Sequence, residues 1–144
     1  MLELSQLWPV LVASVASFLG GWLWYSPMLF AKPWIEAMGK NEADMQNMSK
    51  DQMRTMAYGF ISTVITAYSL AVLFLLVEPT TLWQAIQVSL FACFGFVVVT
   101  KFTGLIYESN EPHWSKRPQF LFLIGSGYQI LSFTLITLVL WYFR

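Results

Sequence analysis

Charge is scarce in this 144-residue chain. Asp, Glu, Lys and Arg make up 11% of the residues, against roughly 25% in an ordinary soluble domain. The 8 basic and 8 acidic side chains balance, so there is no basic field to hold a nucleic acid. The single cysteine, Cys93, excludes an internal disulfide and a CxxC redox pair. The single histidine, His113, is the one candidate base for a Ser-His-Asp set and has no second imidazole beside it for a metal cluster. No cofactor is expected. The opening Met1-Leu2-Glu3-Leu4 has no positive n-region, so the first apolar run is expected to be a retained span and not a cleaved signal.

Apolar residues fill the space that charge leaves, at 57% of the chain and a mean hydropathy of +0.58. Residues 4–31, 55–77, 79–100 and 118–143 carry no charged side chain and together hold 99 of the 144 residues. At average soluble usage one such run of 22 would arise about 0.2% of the time. A helix needs about 20 apolar residues to cross a bilayer core. The expected fold is all-α: one membrane domain, residues 1–144, with four transmembrane helices at about 4–25, 55–77, 82–102 and 118–143. Their short connections predict antiparallel packing between neighbours in sequence.

Basic residues orient the bundle. Lys32, Lys40, Lys50 and Arg54 lie between the first two spans, and Lys101, Lys116 and Arg117 lie at or between the last two. Only Arg144 joins the other side, which places both termini on the non-cytoplasmic side of the cell's inner membrane. The tryptophans agree: Trp8, Trp83 and Trp141 fall at one interface, and Trp22, Trp24, Trp34 and Trp114 at the other.

Segment 32–54 is too long for a turn. Pro33 can begin a short helix that Gly39 ends, Asn41 with Glu42 and Asp44 reads as a capped start, and Ser49-Lys50-Asp51-Gln52 matches a capping box. Met45, Met48, Met53 and Met56 share an arc of about 140°. The segment is either an interfacial amphipathic helix facing lipid or a partner, or a juxtamembrane helix packed on its own bundle.

Polar groups at mid-depth are the first candidates for a site. Thr66 and Tyr68 lie in span two, Ser14 and Ser17 in span one, and Tyr128, Gln129 and Ser132 in span four. They either line a cavity or hydrogen-bond between helices, a contact worth about 0.6–2 kcal/mol in lipid. Lys101 sits about one turn from a span end, able to snorkel or to pair with Glu108 if its helix continues. No buried carboxylate or histidine is available for a proton-coupled carrier. Two small-residue stripes, Ala13-Ser17-Gly21 and Gly59-Thr63-Ala67-Ala71, suit close helix contacts within the chain or between subunits. Gly125-Ser126-Gly127 follows no strand and predicts a kink or a close helix contact, not a phosphate loop. Glu108, Glu111 and His113 read as a solvated loop.

The run Gly21-Trp22-Leu23-Trp24-Tyr25-Ser26-Pro27-Met28-Leu29-Phe30, with Lys32-Pro33-Trp34 and Met38-Gly39, resembles the signature of the "domain of unknown function 1761" family of small, mainly bacterial membrane proteins. Tyr107-Glu108, Arg117-Pro118 and Gly127-Tyr128-Gln129 resemble its C-terminal half. The resemblance implies four helices and singles out Trp24, Tyr25, Ser26 and Pro27, but it supplies no activity. Those four residues either mark the membrane exit or line a groove for a lipophilic ligand.

The expected role is therefore a non-enzymatic structural or accessory component. Its partners are the lipid bilayer, further copies of itself and, as a further option, another membrane protein. A small channel or carrier with a polar path near Tyr68, Tyr128 and Gln129 is the alternative. A glutathione-type trimeric membrane enzyme suits the length, but the spans lack that family's Glu-Arg, Asn and Glu cluster.

Overall fold

The structure, a computed structural model, describes residues 7–40, 49–108 and 117–143. Every regular element among them is helical. Helix α1 runs Leu7–Trp24, α2 Ala31–Ala37 and α3 Ser49–Val77. Helix α4 is one rod built of an α-helical stretch Leu82–Ala92, a π-helical stretch Cys93–Val98 and an α-helical stretch Val99–Glu108. Helix α5 runs Pro118–Tyr142. The four long helices are each apolar and long enough to cross a membrane, over Leu7–Trp24, Met53–Val77, Leu82–Tyr107 and Pro118–Tyr142. The chain is a multi-pass membrane protein.

Local chemistry explains the boundaries. Ser26-Pro27 follows one residue after the end of α1, since a proline disfavours helix in the residue before it. Thr81 caps α4, its side chain accepting from the Gln84 amide. Pro118 opens α5 in the first turn, where its missing N–H costs nothing. The short helix begins at Ala31, two residues before the expected Pro33, because a proline is tolerated anywhere in a first turn. Gly39 does end it. With φ of 71° it takes the left-handed position that lets its own amide reach Glu36 O and the Lys40 amide reach Ile35 O. The third span extends past the expected residue 102 to Tyr107, because Lys101 is accommodated on the helix and does not end it. The Asn41 cap, Met45, Met48, the Glu111–His113 loop and the side chains of Ser49–Gln52 lie outside the described residues.

Neighbours in sequence are not all neighbours in space. Helix α1 packs chiefly against α5 and next against α3, while α4 lies on α5 and scarcely touches α3. Adjacent packing of α3 and α4 was the natural expectation from their short link. The side chains decide otherwise: α4 turns its small residues Ala85, Ser89 and Cys93, all fully buried, towards the bundle, and α5 is the helix it meets there. Helix α5 is thus the hub, with 39% of its span window buried against 17% for α4. Of the two small-residue stripes read from the sequence, the first and all of the second but the exposed Gly59 are used within the chain. Ala13, Ser17 and Gly21 are buried, as are Thr63, Ala67 and Ala71. Rings of Trp8 and Phe143, 4.4 Å apart, bring the two described ends of the chain to the same end of the bundle.

Two hydroxyl pairs bridge the helices at depth. Ser17 and Ser132 oxygens lie 2.6 Å apart between α1 and α5, and Ser89 hydrogen-bonds Thr137 between α4 and α5. Because the reference state in lipid also finds partners, each pair contributes about 0.6–2 kcal/mol. Ser17→Ala and Ser132→Ala are each expected to lower unfolding stability in detergent by that amount. The double variant should lose scarcely more than either single one, and additive losses would rule the pair out as a stabilising contact.

Candidate functional site

Trp24, Tyr25 and Tyr128, three of the residues singled out in the sequence, meet at the end of the bundle that carries α2. Helix α1 ends at Trp24, and the chain turns through Tyr25-Ser26-Pro27 into Ala31. Backbone bonds define that turn: the Phe30 amide donates to Trp24 O at 3.2 Å, and the Leu29 and Ala31 amides both donate to Ser26 O, at 3.0 and 3.2 Å. The turn folds Phe30 back onto the Trp24 indole with 4.5 Å between ring centroids. Helix α2 is tied to the start of α5 by the Arg117 amide, which donates to Ala37 O at 3.2 Å. Pro27 is exposed at the outside of the turn, and the Ser26 hydroxyl is enclosed without a hydrogen-bond partner among the described residues.

Trp24 does more than mark the membrane surface. Its indole N–H donates to the Ile124 carbonyl of α5 at 3.1 Å. That approach depends on Gly127, where an added Cβ would stand 2.8 Å from Trp24 Cζ2. The reciprocal contact lies one step along: a Cβ on Gly21 would stand 2.8 Å from the Tyr128 hydroxyl. Each helix therefore offers a glycine to the other's aromatic ring. Tyr25 extends the cluster, its ring 5.5 Å from Tyr128 and 5.3 Å from Trp34. The close-contact option for Gly125-Ser126-Gly127 is the one realised at Gly127, within an unbroken α5.

The mid-depth polar residues divide. Tyr128 joins the aromatic cluster, and Ser132 pairs with Ser17. Gln129 is half-buried on α5, outside both hydroxyl pairs. Thr66 turns back to its own helix, donating to Ser62 O at 3.0 Å, and Tyr68 lies on the exposed side of α3. The structure brings Trp24, Tyr25 and Tyr128 together and leaves Thr66 and Tyr68 elsewhere. Gly21 and Gly127 are the residues that make the cluster possible. Their signal in the sequence was a close-contact spacing, Gly21 in a small-residue stripe and Gly127 in Gly125-Ser126-Gly127, and only the facing ring says which partner each serves. Among the described residues no group of three His, Cys, Asp or Glu is placed to hold a metal ion.

Chemically the cluster is a clamp: rings in tilted and edge-on contact, one interhelical hydrogen bond and two glycine berths. Gly127→Ala should destabilise the protein by about 1–3 kcal/mol through overpacking against Trp24. Adding Trp24→Leu should recover part of that loss, measured as the thermal midpoint in detergent. A double variant as unstable as the sum of the two single ones would break the assignment.

A family model described as "Protein of unknown function (DUF1761)" matches residues 8–141. No curated protein and no solved structure matches the chain. The matched segment takes in all four spans but for Leu7 and Tyr142, together with the Trp24–Pro27 turn and the Gly127-Tyr128 contact, and the chain belongs to the DUF1761 family.

Proposed function

We propose that this protein is a non-enzymatic structural or accessory component of the cell's inner membrane that works as a homo-oligomer, with both termini on the non-cytoplasmic side. The orientation is supported by seven of the eight basic side chains lying on the α2 side of the spans. The oligomer is carried by one observation, the outer face of α3. Thr55, Gly59, Ser62, Thr66 and Ser69 recur there at alternating steps of four and three, and all but the half-buried Thr66 are exposed. Gly59 has open space where a Cβ would be. A 3.5-residue repeat of small residues is the seam of a left-handed helix pair, and small residues are what let backbones approach in lipid. The hydroxyls of Thr66 and Ser69 bond their own helix, so the seam can meet another without stranding polar groups.

Membranes containing Ser62→Cys chains, oxidised with copper phenanthroline, should yield a disulfide-linked dimer, since the native Cys93 is buried. Phe91→Cys, on the outward face of α4, should stay monomeric. Equal cross-linking at both positions, or at neither, would overturn the proposal.

A further inference from the structure

Lys101 lies six residues before the end of the α4 span, which runs on to Tyr107. The Ser89–Thr137 bond fixes the antiparallel register of α4 on α5, and twelve residues further along α4 that register sets Lys101 opposite Gly125. The ammonium lies at that level: Lys101 Nζ ends 3.2 Å from where a Cβ on Gly125 would stand. It reaches sideways onto α5 and does not run along the helix to the membrane surface, the usual course of a lysine near a span end.

The π-helical stretch Cys93–Val98 is what aims it. A regular helix turns about 100° per residue, so Lys101 would point about 120° away from the face that Ser89 turns to α5. Pairing i to i+5 takes up about one extra residue and turns everything beyond it back by about 100°. Lys101 is thereby restored to the α5 side, within about 20° of Ser89.

A second donor waits on α5. Ser126 lies eleven residues from Thr137, three turns, and so shares its α4-facing side. It is 7% exposed, and its hydroxyl has no hydrogen-bond partner among the described residues. The hydroxyls of Ser14, Thr63, Thr66, Ser69, Thr103 and Thr134 all turn back to the carbonyl four residues earlier. Ser126 does not. Lys101 in turn forms no ion pair among the described side chains, and that of Glu108 lies outside them. An ammonium and a hydroxyl with no acceptor among the described side chains, the ammonium set against Gly125, make a receptor for an oxyanion.

Depth selects the oxyanion. From Leu82 to Glu108, α4 is about 40 Å long, some 10 Å more than a bilayer core of about 30 Å. Measured from the Trp83 end, the core stops close to Lys101, the level of lipid phosphates. We propose that Lys101 and Ser126 bind a phosphate group in the α4–α5 crevice, entered from the α2 side of the membrane. The site does not depend on the oligomeric state, and its stoichiometry is counted per chain.

The full-length protein in mild detergent, titrated with dioleoyl phosphatidylglycerol and read by native mass spectrometry, tests this. Wild type should hold one lipid per chain. Lys101→Gln and Ser126→Ala should each weaken binding by roughly tenfold, the scale of a charge-assisted hydrogen bond, and Lys101→Arg should restore much of it. Lys32→Gln, an exposed lysine on α2, should bind as wild type. Competition by millimolar inorganic phosphate would assign the site to free phosphate, and its failure to compete would assign it to a lipid headgroup. Binding unchanged in Lys101→Gln and Ser126→Ala would overturn the proposal. So would an equal loss in Lys32→Gln. Ser126→Ala removes one oxygen and guards against misfolding, with helicity by circular dichroism as the check.

Discussion

Helices inside a membrane gain little by hiding apolar surface from lipid, which is as apolar as they are, so the bundle holds together only where backbones come close enough for dense packing and hydrogen bonds. The α1–α5 contact meets that condition best, and the rest of the structure depends on it. Ala13, Ser17 and Gly21 form a smooth strip on α1, and Ser132 and Gly127 answer it on α5. Closing that gap brings the Ser17 and Ser132 hydroxyls together at depth and the Trp24 indole onto Ile124 O near the α2 end. With α1 and α5 fixed, α3 packs against α1 through Thr63, Ala67 and Ala71, and α4 settles on α5 through Ala85, Ser89 and Cys93. The order of helices follows the order of small residues, not the order of the chain.

That rule also separates what the sequence discloses from what it conceals. The spans were legible because charge cannot be placed cheaply in hydrocarbon, so four runs without charge reveal four crossings whichever neighbours they choose. Partner choice was not legible, because lipid-facing and bundle-facing sides are both apolar. Phe91, 79% exposed, and Phe133, 6% exposed, cannot be told apart by hydropathy. The stripe Ala13-Ser17-Gly21 could be found by spacing, but nothing in it says which helix it will meet. The link between α3 and α4 suggested a hairpin, yet small residues on α4 serve α5 instead.

The Trp24–Pro27 turn shows a second kind of concealment. An aromatic pair before Ser-Pro at a membrane boundary has an adequate explanation as an interfacial anchor. The tertiary role of Trp24 rests on a glycine about a hundred residues away, and only the pair of positions carries the information. The same holds for Gly21 and Tyr128. These two reciprocal contacts run in opposite directions across one interface. Losing either glycine would push a ring outward and part the helices at the end where α2 is anchored by the Arg117–Ala37 bond.

The π-helical stretch in α4 belongs to the same logic. An irregular turn in a span weakens its own hydrogen-bond ladder, so it persists where tertiary contacts hold it. Here the contacts above and below it ask for incompatible phases: Ser89 must face Thr137, and Lys101 must be brought onto α5 at Gly125. A regular helix satisfies one and turns the other about 120° away. Left in that phase, the lysine would project sideways from α4, level with a bilayer boundary it could reach only by bending along the helix. With one extra residue taken up in the turn, the Lys101 ammonium is set against Gly125 on α5. A single local defect in α4 therefore reconciles tight packing at the Ser89 end with the placing of Lys101 on α5 at the other.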